Sequence, residues 1–225
     1  MRLGLISDPH ANLPALEAVM QALDGEDVDR IVCAGDLVGY NPWPNQVVEL
    51  LQDRGVLAIR GNHDRAALAG IAVGFNRFAA EALAWTVAHL ESETAESLRR
   101  MENSTRFAAG SKTVAVFHGS PRFDDEYVYP GNATEDLVGA ARAQIVVFGH
   151  THHPMFFAYP SGIVVNPGSV GQPRDRDPRA PYAILDTDTE DWRVERIDYD
   201  IPRVQGEILR VGLPPFLAER LAAGR

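Results

Sequence analysis

MRLGLISDPHAN, residues 1–12, joins a short apolar run to a polar turn that contains Asp8 and His10. Residues 3–7 have the length and composition of a buried β-strand. A segment with helical spacing of apolar residues follows the turn at residues 13–23. The order strand, polar turn and helix is typical of α/β proteins, which place functional side chains at the carboxyl ends of strands.

The same pattern recurs along the chain. Further strands are predicted at residues 30–34, 56–59, 113–118, 144–148, 163–166 and 182–186, and further helices at residues 44–54, 76–90 and 91–101. The early helices suit crossovers between parallel strands, whereas the short runs from residue 156 onward suit hairpins in a second sheet or at a mixed sheet edge. We predict an α/β fold in a single domain, residues 1–225, with residues 202–225 as a C-terminal tail of two short helices.

The composition limits the classes of function. A chain of 225 residues, 45% of them hydrophobic, suits one substantial core. Its formal net charge of −10 repels nucleic-acid phosphates, so we expect no non-specific nucleic-acid binding. The sequence contains neither a long apolar leader nor 18 consecutive apolar residues, which predicts a cytoplasmic protein without a membrane anchor. The single cysteine, Cys33, has apolar neighbours and is predicted to be a buried, inert thiol.

Residue types that bind metals occur after five of the predicted strands. In chain order they are Asp8 and His10, then Asp36, then Asn62, His63 and Asp64, then His118, and finally His150 and His152. Six of the seven histidines lie at or beside these points. Imidazole and carboxylate together favour first-row transition metals over calcium, which prefers oxygen ligands. One such motif would be weak evidence, but five in order indicate a metal site.

The five motifs resemble those of the calcineurin-like metallophosphoesterase superfamily, whose pattern is Asp-x-His, Gly-Asp, Gly-Asn-His-Asp or Gly-Asn-His-Glu, His, and Gly-His-x-His. The resemblance covers nearly the whole chain and is closest to the small bacterial and archaeal phosphodiesterases. It implies two mixed β-sheets packed as a sandwich and flanked by helices. It also implies a hydrolase that acts on a small phosphodiester or phosphomonoester with two divalent ions, manganese first, with iron, zinc, nickel or cobalt as alternatives.

The resemblance implies a role for each motif residue. The metal ligands would be Asp8, His10 and His152 for one ion, Asn62, His118 and His150 for the other, and Asp36 as the bridge between the ions. A hydroxide held by both ions would attack phosphorus. His63 would protonate the leaving oxygen, and Asp64 would hold the His63 ring.

Three further residues are candidates for substrate contact, namely Asn12, Tyr40 and Arg174. Arg174 follows a glycine-bearing loop and could reach phosphate oxygens. The family commonly has glycine where this chain has Ala11, so a left-handed conformation there would cost about 1 kcal/mol. The protein serine/threonine phosphatases carry an arginine soon after Gly-Asp, and its absence after Asp36 argues against a phosphoprotein substrate.

Two other functions remain open. Hydrolysis of dinucleoside polyphosphates would use the same ions on an anhydride. A non-catalytic protein-interaction scaffold with the same fold is the alternative from another class, and the retention of His63 and of every ligand argues against it. The sequence leaves the substrate, the native metal and the oligomeric state open, although apolar residues near the C-terminus could pair two protomers.

The aromatic residues Phe75, Phe78 and Trp85 also allow two interpretations. Their spacing predicts one face of a helix that covers the core, and the alternative is a role in stacking on the substrate. Substrate selectivity is expected to depend on the loops around Tyr40, residues 75–78 and residues 123–129.

Overall fold

The computed structural model describes residues 1–225, which form ten strands and eight helices. The strands are β1 (Arg2–Ile6), β2 (Arg30–Cys33), β3 (Leu57–Ala58), β4 (Ser104–Ala109), β5 (Lys112–Phe117), β6 (Ile145–Val147), β7 (Met155–Tyr159), β8 (Gly162–Asn166), β9 (Ala180–Asp186) and β10 (Trp192–Ile197). The helices are α1 (Leu13–Asp24), α2 (Pro44–Asp53), α3 (Asn62–Ala69), α4 (Arg77–His89), α5 (Ser92–Arg100), α6 (Asp136–Ala141), α7 (Ile201–Arg210) and α8 (Pro215–Leu221).

The strands form two mixed five-stranded sheets, which confirms the predicted fold class. The first sheet has the order β10-β9-β1-β2-β3, and the second has the order β4-β5-β6-β8-β7. Strands β1, β2 and β3 run parallel, as do β5, β6 and β8. Because parallel strands end at the same edge of a sheet, the loops that follow β1, β2 and β3 lie together, and so do those after β5, β6 and β8.

The two sheets pack against each other through alternate side chains of their strands. In β1, Leu3 and Leu5 point into the layer between the sheets, whereas Ile6 points to the helices on the outer face. In β5, Val114 and Val116 occupy the same inner layer from the other side. This alternation follows from the two-residue period of a strand, and it makes a sandwich with helices on both outer faces.

Side-chain caps determine where two helices begin. The Asn12 side chain accepts a hydrogen bond from the amide of Ala15, so α1 starts directly after the first polar turn. The Asn76 side chain likewise caps α4 by accepting from the amide of Ala79. Phe75 therefore precedes α4, and the prediction that it shares a helix face with Phe78 was wrong.

Five elements were not predicted with bounds from the sequence: α3, β4, α6, β7 and β10. The last two lie in the region from about residue 156 onward, where hairpins were expected. Strand β4 pairs antiparallel with β5 at the edge of the second sheet. Its sequence, STRFAA, has small and polar residues where a buried strand has branched apolar ones, so periodicity gives little signal. Helices α3 and α6 span only 8 and 6 residues, too short for a clear helical period.

The last two helices correspond to the two short helices predicted for residues 202–225. Their buried residues, which include Val204 and Leu217, join α4 and Tyr40 in one apolar cluster. The two helices thus pack against Tyr40 and α4. The structure has no helix that is both long and apolar enough to cross a membrane.

Candidate metal centre

The predicted ligands come together where the loops of the two sheets meet. Six of the seven side chains are buried, and Asn62 is half-buried: Asp8, His10, Asp36, His118, His150 and His152 each expose 4% or less of their surface. Buried polar groups at this density require partners, because an unpaired buried charge is costly. The polar residues that follow the five predicted strands therefore lie together in one site.

The first group of ligand atoms belongs to Asp8, His10 and His152. The Nε2 atoms of His10 and His152 are 3.2 Å apart, and the Asp8 Oδ1 atom is 3.3 Å from His152 Nε2 and 3.7 Å from His10 Nε2. Asp8 Oδ1 has no hydrogen-bond partner, although it is buried. The other oxygen, Oδ2, accepts from the Ser7 hydroxyl and the His150 amide, which directs Oδ1 into the site.

The second group belongs to Asn62, His118 and His150. His118 Nε2 lies 3.0 Å from Asn62 Oδ1 and 3.1 Å from His150 Nδ1. Asn62 is the first residue of α3, so the start of that helix aims its amide oxygen at the histidines of the second sheet.

Asp36 lies between the two groups. Its Oδ2 atom is 3.6 Å from His10 Nε2 in the first group and 3.2 Å from His118 Nε2 in the second. Its Oδ1 atom accepts from the amide of His63 at 2.8 Å, which fixes the carboxylate plane. His118 and His63 hold the pKa of Asp36 well below its usual range, although burial acts to raise it.

Three imidazoles have their tautomer determined by the backbone. The Nδ1 atoms of His10, His118 and His152 face the carbonyl oxygens of Val38, Ala34 and Gln172 at 3.1, 2.8 and 2.6 Å. Since a carbonyl oxygen only accepts, each Nδ1 carries a proton. Nε2 is then the atom that faces the site, and it offers a lone pair whenever the ring is neutral. This arrangement is typical of histidines that bind metals.

Lone pairs of nitrogen and oxygen therefore converge with too few protons between them. Burial acts against a charged imidazole, yet the Asp36 carboxylate raises the pKa of His118 to about 9. At His118 the carboxylate thus favours a positive charge, which a bound cation would supply in place of the proton. Two imidazoles with one carboxylate, or with one carboxylate and one amide, form a donor set that fits divalent transition metals.

The backbone around the site is strained. Of ten non-glycine residues with positive φ, seven lie in these loops: Asp8, His10, Ala11, Asp36, Tyr40, His150 and His152. Ala11 has φ 54°, the left-handed conformation expected if alanine replaces the family's glycine. Left-handed residues cost free energy, and such residues concentrate at functional sites where the surrounding structure holds them.

His63 lies in a cage of rings beside the first group. Its ring centroid is 4.5 Å from that of Phe75, 4.6 Å from Tyr40 and 4.7 Å from His10. Gly39 faces the His63 ring directly, and a Cβ atom at that position would overlap Nδ1. Burial lowers the pKa of His63 to about 4, so the isolated ring is neutral at neutral pH. Its Nδ1 atom is buried without a hydrogen-bond partner.

The predicted role of Asp64 was wrong. Its carboxylate does not hold the His63 ring but accepts the amides of Gly61 at 2.8 Å and Val38 at 3.0 Å. Asp64 is the third residue of α3, so its side chain turns back over the start of the helix and closes the capping interaction. It ties the loop that carries Asp36 to the helix that carries Asn62.

The three candidates for substrate contact occupy different positions. Asn12 is fully buried. Its side-chain oxygen caps α1 and its amide nitrogen donates to the carbonyl oxygen of Gly171, so its assignment as a substrate contact was wrong. The Tyr40 ring lies 4.6 Å from the His10 ring. Arg174 donates to the Tyr40 hydroxyl at 3.3 Å, and its Nε atom is buried without a partner.

Two further aromatic residues lie at the site: Tyr127, which had no role assigned from the sequence, and Phe75, which was assigned to a helix face or, alternatively, to stacking on the substrate. The Tyr127 ring stacks on His150 with centroids 3.9 Å apart, and Phe75 packs on His63. The sequence indicated a role at the site for Tyr127 only through its loop, residues 123–129, on which substrate selectivity was expected to depend. His153 is half-buried beside Tyr129, and His89 is exposed on α4, far along the chain from the motifs.

The sequence and the fold are similar to those of known proteins. Residues 1–190 match the calcineurin-like phosphoesterase superfamily domain. The crystal structure of a metallophosphoesterase from Sphaerobacter thermophilus is similar, with 36% identity and a TM-score of 0.85 over 100% of this chain and 99% of that one. An uncharacterized protein from Methanocaldococcus jannaschii is 32% identical over 99% of this chain and 98% of its own. The phosphodiesterase YfcE of Escherichia coli is 26% identical over 84% of this chain and 89% of its own. The chain therefore belongs to the calcineurin-like phosphoesterase superfamily.

Proposed function

We propose that this protein is a hydrolase of small phosphodiesters or phosphomonoesters that works with two divalent transition-metal ions. The observation that carries the proposal is the position of Asp36 Oδ2, within 3.6 Å of His10 Nε2 and 3.2 Å of His118 Nε2. One carboxylate oxygen thus lies close to ligand atoms of both groups. Two cations held close together repel each other, and an anion between them offsets that repulsion.

The two groups would divide the ions between them. Asp8, His10 and His152 would hold one, Asn62, His118 and His150 the other, and Asp36 both. When bound, such ions polarise a phosphoryl oxygen and lower the pKa of water so that a nucleophile exists near neutral pH. Manganese is our first choice, and iron, zinc, nickel and cobalt suit the same donor atoms.

His63 would donate a proton to the leaving oxygen. Its ring is held on three sides by aromatic neighbours, its Nδ1 atom is packed against Gly39, and its Nε2 atom, which would carry the proton, has no hydrogen-bond partner in the protein. A group in that state can hydrogen-bond a substrate without first breaking an internal bond. The negative charge of a bound phosphate would raise the low pKa of the ring and favour the protonated form.

Arg174 would contact the phosphate from the side of Tyr40. Its guanidinium already donates to the Tyr40 hydroxyl and to Gln172, and its Nε atom remains unused. An arginine with a free, buried donor is well suited to a phosphate oxygen. The relative YfcE is named a phosphodiesterase, which supports a diester as the first substrate to test.

The test is hydrolysis of an aryl phosphodiester, the matching monoester and a dinucleoside tetraphosphate, before and after manganese is added to chelated protein. We expect turnover that depends on manganese and is greatest for one of the esters. Asp36→Asn should lower kcat at least about a hundredfold, since the bridging charge is removed. Turnover by Asp36→Asn equal to that of the wild type, at full metal occupancy, would refute the proposal. Preference for the tetraphosphate would indicate the anhydride reaction instead.

A further inference from the structure

An open cleft of about 470 Å³ extends from the candidate metal centre between α3 and the loop at residues 119–131. Its inner end is formed by Asn62 and His150, which belong to the second group of ligand atoms. Its outer end is formed by Ile71, Val73 and Phe75, from the segment that joins α3 to α4. The volume is in the range that holds a small organic molecule.

The outer end of the cleft exposes apolar side chains to solvent. Ile71 is 57% exposed and Val73 is 85% exposed, so neither side chain is buried in the apolar core. Exposed apolar residues that line a concave surface beside a reactive site are typical of a ligand-binding surface.

Aromatic rings connect this apolar end to the reactive groups. Tyr127 lines the cleft and stacks on His150, with ring centroids 3.9 Å apart and an interplanar angle of 30°. Phe75 lines the same cleft and packs on His63 at 4.5 Å. His63, the residue proposed to protonate the leaving oxygen, thus lies directly behind the Phe75 ring that lines the cleft. An alcohol that departs from the metal centre past His150 would extend into this cleft.

The charges in the cleft cancel. Its arginine, Arg65, forms an ion pair with its aspartate, Asp125, and the pair ties α3 to the opposite loop. No unpaired basic side chain lines the cleft to receive a second phosphate. The chemistry instead suits an uncharged group, and flat rings such as Tyr127 and Phe75 suit a planar one.

We propose that this cleft binds the alcohol part of the ester and selects a planar aromatic group, either an aryl ring or a nucleobase. The proposal rests on the proposed function, since it names the substrate class for the same site. It explains why apolar residues at positions 71 and 73 remain in solvent beside a polar centre.

The test compares the double variant Ile71→Ser/Val73→Ser with the wild type and with Leu209→Ser. Leu209 is a matched control because it is apolar and 54% exposed, lies on α7 and does not line the cleft. The manganese-loaded proteins are given diphenyl phosphate, a bis(fluoroalkyl) phosphate whose alcohol has a similar pKa, and a dinucleoside monophosphate.

We expect the double variant to raise KM for diphenyl phosphate about tenfold, with kcat changed little, because the lost contacts stabilise the bound substrate and the transition state equally. KM for the fluoroalkyl ester should change less than about twofold, and Leu209→Ser should behave as the wild type. A larger effect on the dinucleoside monophosphate would identify a nucleobase as the occupant, and an effect confined to the aryl ester would identify an aryl ring. Equal KM values for wild type and double variant on every ester would overturn the proposal.

Binding separates this proposal from the proposed function. If no ester is hydrolysed, the proposed function fails, and calorimetry with phenylphosphonate and methylphosphonate still tests the cleft. Tighter binding of phenylphosphonate by the wild type, lost in the double variant, would support an aromatic site. Equal binding of the two phosphonates by the wild type would overturn it.

Discussion

The Nε2 atoms of His10 and His152 lie 3.2 Å apart, while the Nδ1 atom of each ring faces a backbone carbonyl oxygen. Each Nδ1 therefore keeps its proton, and two lone pairs point at each other in a buried site. Lone pairs at this distance repel unless a positive charge lies near both. The stability of the folded protein should accordingly depend on what the site binds.

Removal of divalent ions is expected to lower the melting temperature. An ion that binds only the folded state at a hundred times its Kd adds about 2.7 kcal/mol, which corresponds to roughly 5 to 10 °C for a chain of this size. Differential scanning calorimetry before and after chelation, and again with manganese, measures the shift. His152→Ala should lose most of it, whereas His89→Ala, at an exposed residue, should keep it. The same Tm with and without metal would contradict the arrangement of lone pairs.

His63→Ala should impair turnover most for esters with poor leaving groups. A positioned acid contributes about 10² to 10⁴ in rate when the leaving oxygen needs a proton, and little when the alcohol is already acidic. Values of kcat/KM across aryl esters of graded leaving-group pKa would give a steeper dependence in the variant. His153→Ala is the control, since that ring is half-buried outside the ligand groups. A loss of the same size for every ester would argue against an acid role.

Asp64→Asn should destabilise the protein by about 1 to 3 kcal/mol. The carboxylate accepts the amides of Gly61 and Val38 through different oxygens, and an amide side chain would turn an NH₂ group toward one of those donors. Urea unfolding measures the change, and Asp124→Asn, in an exposed part of a loop, serves as the control. Unchanged stability would mean that these two hydrogen bonds do not hold the α3 start against the Asp36 loop.

Tyr199→Phe should lose less stability at high pH than the wild type loses. Burial raises the pKa of Tyr199 to about 12, above the value of about 10 in an unfolded chain. Because the folded-state pKa is raised, this stabilising contribution is complete below about pH 10 and is lost as pH rises toward 12. Denaturant unfolding at pH 9 and pH 11 should show a larger loss in the wild type than in the variant. Equal losses would indicate that Tyr199 ionises as freely in the folded chain as in the unfolded one.

The parallel strands were predictable because their side chains obey a simple period. Residues such as Val114 and Val116 alternate with smaller apolar ones, and both faces of the strand are buried. Branched apolar residues in short runs between turns give a clear signal. The polar residues after each run then converge, because parallel strands end at one edge.

The parts that the sequence did not predict depend on contacts between distant residues. The identity of Asp64 cannot indicate that its two oxygens would meet the amides of Gly61 and Val38 rather than a ring. The spacing of Phe75 from Phe78 suits a helix, but the cap formed by Asn76 starts the helix at Arg77, two residues after Phe75. Side-chain capping competes with periodicity at such positions, and only the folded chain shows which prevails.

The packing of α7 and α8 on Tyr40 has a practical consequence for protein production. The recognised family domain ends at residue 190, before β10 and both helices. An expression clone cut there would lose the edge strand that pairs with β9 and would expose the apolar residues of α4 and Tyr40. Such a product should aggregate, because a bare sheet edge and an uncovered apolar patch both invite association. The unit that can be purified therefore extends well past the unit that sequence similarity outlines.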